Sequence, residues 1–327
     1  MKLTLNLLGL ALLLAMTATP SNAQTEPKIE SATPAVVQAF QSHDIVMLGE
    51  PHGNKQEYDW LRSLVGTADF ANRVDDIVVE FGNSLYQQTV DRYVSGEDVP
   101  LEKVQGAWRD TVASVGPPSP VYESLYQAVR ETNLKRKGQH QIRVLCGDPN
   151  IDWKEVKEPK DILPYLKTRD QSYARVVETE VIAKHQRALL IMGTFHFLRN
   201  FDMMPARKQF DIEQQLRAAG ANPYLIVFGT NTVGKSGELD HRFDSWSVPS
   251  IVPLADNWVG KLPAIPVVTQ GHGPALPLKL KDGADALLYL GPTASLTTVQ
   301  MTPSELAGTP YGKEIERRKK LQTALEN

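Results

Sequence analysis

Two stretches of the chain deliver a histidine from the same setting. IVMLGEPHG at 45–53 and LLIMGTFHF at 189–197 each run four apolar residues into a glycine and place a histidine three positions later, at His52 and His196. The first also sets Glu50 directly after its glycine. Another carboxylate, Glu80, lies inside VVEF at 78–81, where its neighbours are apolar and a charge is costly unless paired or coordinated. Asp148 follows a further apolar run, in CGDPN. Imidazoles and carboxylates gathered in one place are the groups that activate water. Imidazole serves as base or acid and carboxylate as orienting or polarising partner, with or without a divalent metal.

Other chemistries lack their residues. There is no G-x-S-x-G elbow, H-E-x-x-H, C-x-x-C, Walker loop or G-x-G-x-x-G. Ser84, in FGNSLY, follows an apolar run, but its glycine spacing fits a nucleophile elbow poorly. Cys146, the only cysteine, sits in RVLCGD and reads as a small buried apolar residue rather than a nucleophile. Arg109, in GAWRDT, reads either as a solvated helix residue or as a clamp for an anionic substrate or a developing oxyanion. His43, His140 and His185 read as surface or helix-packing residues, while His241 and His272 belong to a long irregular stretch that could reach a cleft.

The elements that must position these groups follow from six short apolar runs closing on glycine. Besides the two quoted, they are DIVVEFG (76–82), IRVLCG (142–147), YLIVFG (224–229) and ALLYLG (286–291). They are rich in Val, Ile and Leu without alternation, the pattern of strands covered on both faces. Helical segments lie between them, among them NKQEYDWLRSLV, SPVYESLYQAVRETNLKR, DQSYARVVETEVIAKHQ and ARKQFDIEQQLRAAG. The alternation predicts an α/β fold whose central sheet is mostly parallel and flanked by helices.

Ligands of such sheets bind beyond the carboxyl ends of the strands. Glu50, His52, Glu80, Asp148 and His196 all fall there, with Asn231 near the fifth run. Two stretches interrupt the alternation, 92–120 and the proline-rich 231–283, and they are predicted to be lid or cap insertions in one domain spanning 24–327.

The first 23 residues show Lys2, an apolar run from Leu5 to Met16 and a small-residue stop at Ser21-Asn22-Ala23, which predicts a secretory signal cleaved before Gln24. The run is shorter than the roughly 20 residues that a spanning helix needs. The expected product is periplasmic or secreted, without a disulfide, and without a cysteine to carry a lipid anchor at its new N-terminus. Loss of Lys2 leaves 34 basic against 38 acidic residues, a balance that does not point to nucleic acid and fits a small-molecule substrate or ligand.

LGEPHG, VVEF and MGTFHF together resemble the superfamily that joins erythromycin esterases, ChaN-like haem-binding proteins and the Tiki/TraB group of metallopeptidases. Gly49-Glu50-Pro51-His52-Gly53 is one residue shorter than the esterase pattern, as in ChaN-like proteins, and Glu57 stands near the place of a later esterase glutamate, displaced by one. Gly193-Thr194-Phe195-His196 looks more like the ChaN and Tiki pattern. The resemblance implies an EreA/ChaN-like α/β fold with a site of Glu50, His52, Glu80 and His196. In its esterase form, water is activated at these four for attack on an ester or related acyl bond. In its metal form, the same four ligate a divalent cation. In its ChaN form, the chain binds haem or another ligand in connection with iron uptake, without catalysis.

Overall fold

The structure, a computed structural model, describes residues 25–113, 118–201, 212–234, 237–271 and 278–326. The expected signal segment 1–23 and His272 lie outside these residues. The strands are β1 (Glu30–Ser31), β2 (Ile45–Glu50), β3 (Asp76–Asn83), β4 (Arg143–Asp148), β5 (Ala188–Gly193), β6 (Tyr224–Gly229), β7 (Thr232–Val233), β8 (Glu238–Leu239), β9 (Ser250–Pro253) and β10 (Ala286–Tyr289). Eight of them form one sheet in the order β1-β9-β10-β6-β2-β5-β3-β4, and β7 and β8 pair as a separate hairpin. The six apolar runs become the six neighbouring strands β10-β6-β2-β5-β3-β4, every adjacent pair parallel. The expected α/β architecture is therefore present, with β9 and β1 added antiparallel at one edge.

Strands without alternation are explained by the two layers that cover them. Val46 and Leu48 of β2 pack with helices Lys55–Val65 and Pro120–Lys135 on one face. Ile45 and Met47 pack on the other face with helices Arg169–Val176 and Ile212–Ala218. Each strand thus divides its apolar residues between two cores.

The chain order brings the site together. From β2 it passes to β3 and β4 on one side, then returns to lay β5 between β2 and β3. The carboxyl ends of β2, β5 and β3, which carry Glu50, Gly193 and Glu80, are consequently side by side. The end of β3 is irregular. Val79 lies opposite Cys146 and Asn83 opposite Asp148, so Glu80, Phe81 and Gly82 bulge out of the ladder. A bulge re-aims the side chains it contains, and this one carries Glu80.

Within 231–283, where a lid was expected, the described residues include strand β9 of the main sheet and the core residues Trp258, Val259, Ile265 and Val267. Within 92–120 they include the short helices Leu101–Val104 and Gly106–Arg109. Helix Pro310–Glu326 packs beside this second stretch, where Leu321 and Leu325 meet a small core of Val112, Ile151, Trp153, Val156 and Ile162. Among the described residues no helix is long and apolar enough to cross a membrane.

Candidate functional site

Glu50 lies opposite Gly193 in the β2–β5 ladder, so the two Gly-x-x-His segments leave adjacent strands side by side. After β2 the chain turns at His52 and Gly53, both left-handed with φ of 47° and 78°. That conformation is uncommon for a histidine and persists only where its surroundings fix it. Glu50 supplies the fixing: its Oε1 accepts the Gly53 N–H at 2.8 Å and its Oε2 lies 2.6 Å from His52 Nδ1. Asn54 then caps helix Lys55–Val65, accepting the Glu57 N–H at 2.9 Å. After β5 a single 3-10 turn, Thr194–His196, carries the second histidine.

The glycines at the two strand ends serve space rather than a turn of the backbone. Gly49 is an in-strand residue, and a Cβ on it would stand 2.3 Å from Thr194 Oγ1. Gly193 has φ −55°, open to any residue, but a Cβ on it would meet His52 Cε1 at 3.2 Å, His52 Nε2 at 3.3 Å and Glu80 Oε2 at 3.4 Å. One point above Gly193 is therefore within reach of an imidazole nitrogen and a carboxylate oxygen at once.

Glu80 is the hub of the buried half of the site. Its Oε2 accepts the Gly193 N–H at 2.5 Å, while its Oε1 lies 2.7 Å from Arg169 Nη2 and 3.3 Å from His196 Nε2. Arg169 Nε donates to Asp148 Oδ1 at 2.7 Å, and the other Asp148 oxygen accepts the Val112 N–H. His196 Nδ1 faces Asp170 Oδ1 at 2.8 Å. A small cleft lined by Glu80, Asp148, Arg169, Asp170, Tyr173 and His196 opens here.

Charge follows from these contacts. Burial alone would raise the Glu80 carboxyl, but Arg169, His196 and His52 hold it well below the usual range. The Glu50 carboxylate lifts the His52 imidazole to about 9, against the lowering effect of burial. Burial would also lower His196, but Glu80 and Asp170 more than reverse it and bring that imidazole to about 9. Asp148 and Asp170 are pushed up by burial, opposed respectively by Arg169 and by His196.

Glu50, His52, Glu80 and His196 are thus brought to one edge, and Asp148 joins them one bond removed, through Arg169. Arg109 takes a different place. Its guanidinium lies over the Tyr311 ring, 5.1 Å from the centroid, so the cation among the carboxylates is Arg169 and not Arg109. Asn231 is bound to Thr293, His241 to Asp244, and His140 to Asp75. Cys146 is buried. Arg169 and Asp170 escape sequence reading because about twenty residues separate them from β4. Their one signal is that a crossover helix must start at the carboxyl edge of the sheet.

The donor set does not match a metal centre. Among the described residues no group of three or more His, Cys, Asp or Glu could hold an ion. Both oxygens of Glu50 and both of Glu80 are engaged by imidazole, guanidinium or backbone N–H, so positive charge is already supplied from within the chain. At this edge a haem would find the Nε2 of His52, whose other nitrogen is fixed by Glu50 in the way axial histidines are commonly oriented.

No protein-family model and no curated protein matches the chain. Among solved structures it is similar to a crystal structure of a Bacillus cereus protein, with TM-score 0.50 and 13% identity over 86% of this chain and 97% of that one. It is also similar to the type III effector HopBA1, with TM-score 0.41 and 14% identity over 83% and 100%. A third is ChaN of Campylobacter jejuni, a structure described as cofacial heme binding, with TM-score 0.39 and 13% identity over 66% and 94%. These likenesses are of fold, and the relation to ChaN is a distant one.

Proposed function

We propose that the chain is a hydrolase that activates water over Gly193, between His52 and Glu80, for attack on an ester or related acyl bond. The observation that carries this reading is that His52 Nε2 and Glu80 Oε2 converge over Gly193, each within 3.4 Å of where a Cβ would stand, so that a water lying beyond that position meets both. Glu50 holds His52 Nδ1, so a neutral imidazole presents the Nε2 lone pair outward and takes the proton from water. Glu80 orients the water. His196, kept protonated by Glu80 and Asp170, donates to the developing oxyanion or to the leaving oxygen. Arg169 balances Glu80 so that the buried carboxylate stays ionised.

The test is a broad ester panel assayed with and without added divalent metal. Activity is expected to fall at least about a hundredfold in Glu80→Gln and in His196→Ala, with folding preserved by circular dichroism. Unchanged activity in both variants would place the chemistry elsewhere. A wild-type protein inactive across the panel and showing a haem absorption band would move the assignment to ligand binding at His52. Export belongs to the same proposal and rests on Lys2, the apolar run and Ser21-Asn22-Ala23. N-terminal sequencing of the protein from outside the cytoplasm should begin near Gln24, and an intact Met1 in the membrane fraction would reverse it.

A further inference from the structure

The C-terminal helix Pro310–Glu326 is remote in sequence from every residue of the site, yet it buries a cation against the segment that supports it. Arg318 is almost fully buried, lying across the Trp153 ring with 4.6 Å to the centroid. Its Nη1 donates to Arg109 O at 2.8 Å and its Nη2 to Asp110 Oδ1 at 2.5 Å. Tyr311, about two turns earlier on the same helix face, donates its hydroxyl to the same Arg109 carbonyl at 3.0 Å. The other Asp110 oxygen accepts Tyr86 Oη–H at 2.6 Å, and the Asp110 carbonyl accepts from Asn83 and Trp153. Segment 109–112 is thereby clamped from several sides, and its last residue, Val112, delivers the N–H that satisfies Asp148.

We propose that Arg318 is a positioning residue for the hydrolytic site, acting from the C-terminal helix through Asp110, Val112, Asp148 and Arg169 on Glu80. Every link is a bond already described: Arg318 to Asp110, Val112 N–H to Asp148, Asp148 to Arg169, and Arg169 to Glu80. A buried carboxylate with two strong donors is a fixed anchor for a guanidinium. With one donor withdrawn it loses part of what offsets its burial, and its hold on the arginine loosens. Arg169 is the only residue of this chain of contacts that touches Glu80, so a loosened Arg169 lets the carboxylate and His196 drift from the geometry that the reaction needs.

The inference rests on the reading of Glu80 and His196 as the working pair, and a structural readout keeps the two separable. Arg318→Met keeps an unbranched apolar stem beside Trp153 but removes the bonds to segment 109–112. Tyr311→Phe removes one of them. Arg317→Met is the control, because its bonds run to Glu314 and to the Trp153 and Val156 carbonyls and none of them to that segment. In the full chain, proton exchange at the Arg169 Nε–H, followed by NMR, is expected to quicken at least about tenfold in Arg318→Met and less in Tyr311→Phe. The kcat for an ester should fall at least about tenfold at unchanged KM, and Arg317→Met should change neither. Wild-type exchange in a folded Arg318→Met, or equal quickening in Arg317→Met, would overturn the proposal. Should Arg318→Met fail to fold, unchanged exchange in Tyr311→Phe would overturn it. Without any ester turnover in the wild type, the exchange measurement still decides the relay while the hydrolase reading alone falls.

Discussion

His52 and His196 carry the same partner chemistry but meet different amounts of water. Each has a carboxylate against Nδ1, and each imidazole is raised to about 9, yet the His52 side chain is 65% exposed while that of His196 is 11% exposed. Both imidazoles therefore hold their protons at neutral pH and release them near pH 9. The reaction needs the form in which His52 is neutral, as base, while His196 is protonated, as acid. The expected kcat/KM profile rises about tenfold per pH unit from neutrality, then bends over near pH 9 as His196 also loses its proton. Glu50→Gln should move the rising limb toward ordinary imidazole values, and a profile flat between pH 6 and 9 would remove His52 as the base. Glu57 poses a separate residue-level question. It is fully buried, neither carboxyl oxygen has a hydrogen-bond partner among the described residues, and burial beside Glu50 raises its carboxyl well above the usual range. A polar group in that state is a cost to the fold. Glu57→Met is expected to raise stability by about 1–2 kcal/mol in urea unfolding at an unchanged m-value. A loss of stability would show that the carboxyl is satisfied and needed.

Among the elements, the strands were legible and their ends were not. Six apolar runs without alternation can be satisfied only by cover on both faces, so a parallel sheet with two helical layers follows from the residues themselves, and with it the shared edge of Glu50 and His196. The bulge at Glu80 leaves no comparable mark, because its signal is a register shift against β4, a pairing that local sequence does not contain. β9 is hidden for a related reason: SIVP is four residues long in a proline-rich stretch, and only pairing with β10 makes it a strand. Arg109 was plausible by type and misplaced by distance, since its partner ring, Tyr311, lies two hundred residues on. The strand end with the most specific consequence is that of β5. Gly193 has a backbone conformation that alanine adopts without strain, so Gly193→Ala tests space alone. Its methyl would occupy the point shared by His52 Nε2 and Glu80 Oε2. Hydrolysis is expected to fall at least about a hundredfold while the melting temperature changes by no more than a few degrees. Wild-type turnover in this variant would move the water elsewhere.

Across the whole molecule, the site's ionisations write themselves into stability. A group raised on folding contributes stability that is complete below its unfolded value and is lost as pH rises through its folded value. For His196 this window runs from 6.5 to about 9, and the shift corresponds to a contribution on the order of 3 kcal/mol. Glu57, also raised, acts in the same alkaline direction. Glu80 is lowered, so its contribution is present above the ordinary glutamate range and is lost only as pH falls below it. Asp148 and Asp170, raised by burial, oppose Glu80 on that acid side. The acid limb is therefore a balance of opposed groups, and the alkaline limb is not. Unfolding temperatures measured by calorimetry should fall by several degrees between pH 6.5 and 9.5. His196→Gln, neutral at every pH, should start less stable than the wild type and lose the His196 share of this slope, leaving the part due to the solvent-screened His52, whereas a substitution at the distant, exposed His241 should keep it whole. Activity and stability then run in opposite directions over one interval, because His52 must lose its proton for the reaction while His196 holds the fold by keeping its own. An alkaline slope that survives intact in His196→Gln would assign the stabilising proton to another group and break that opposition.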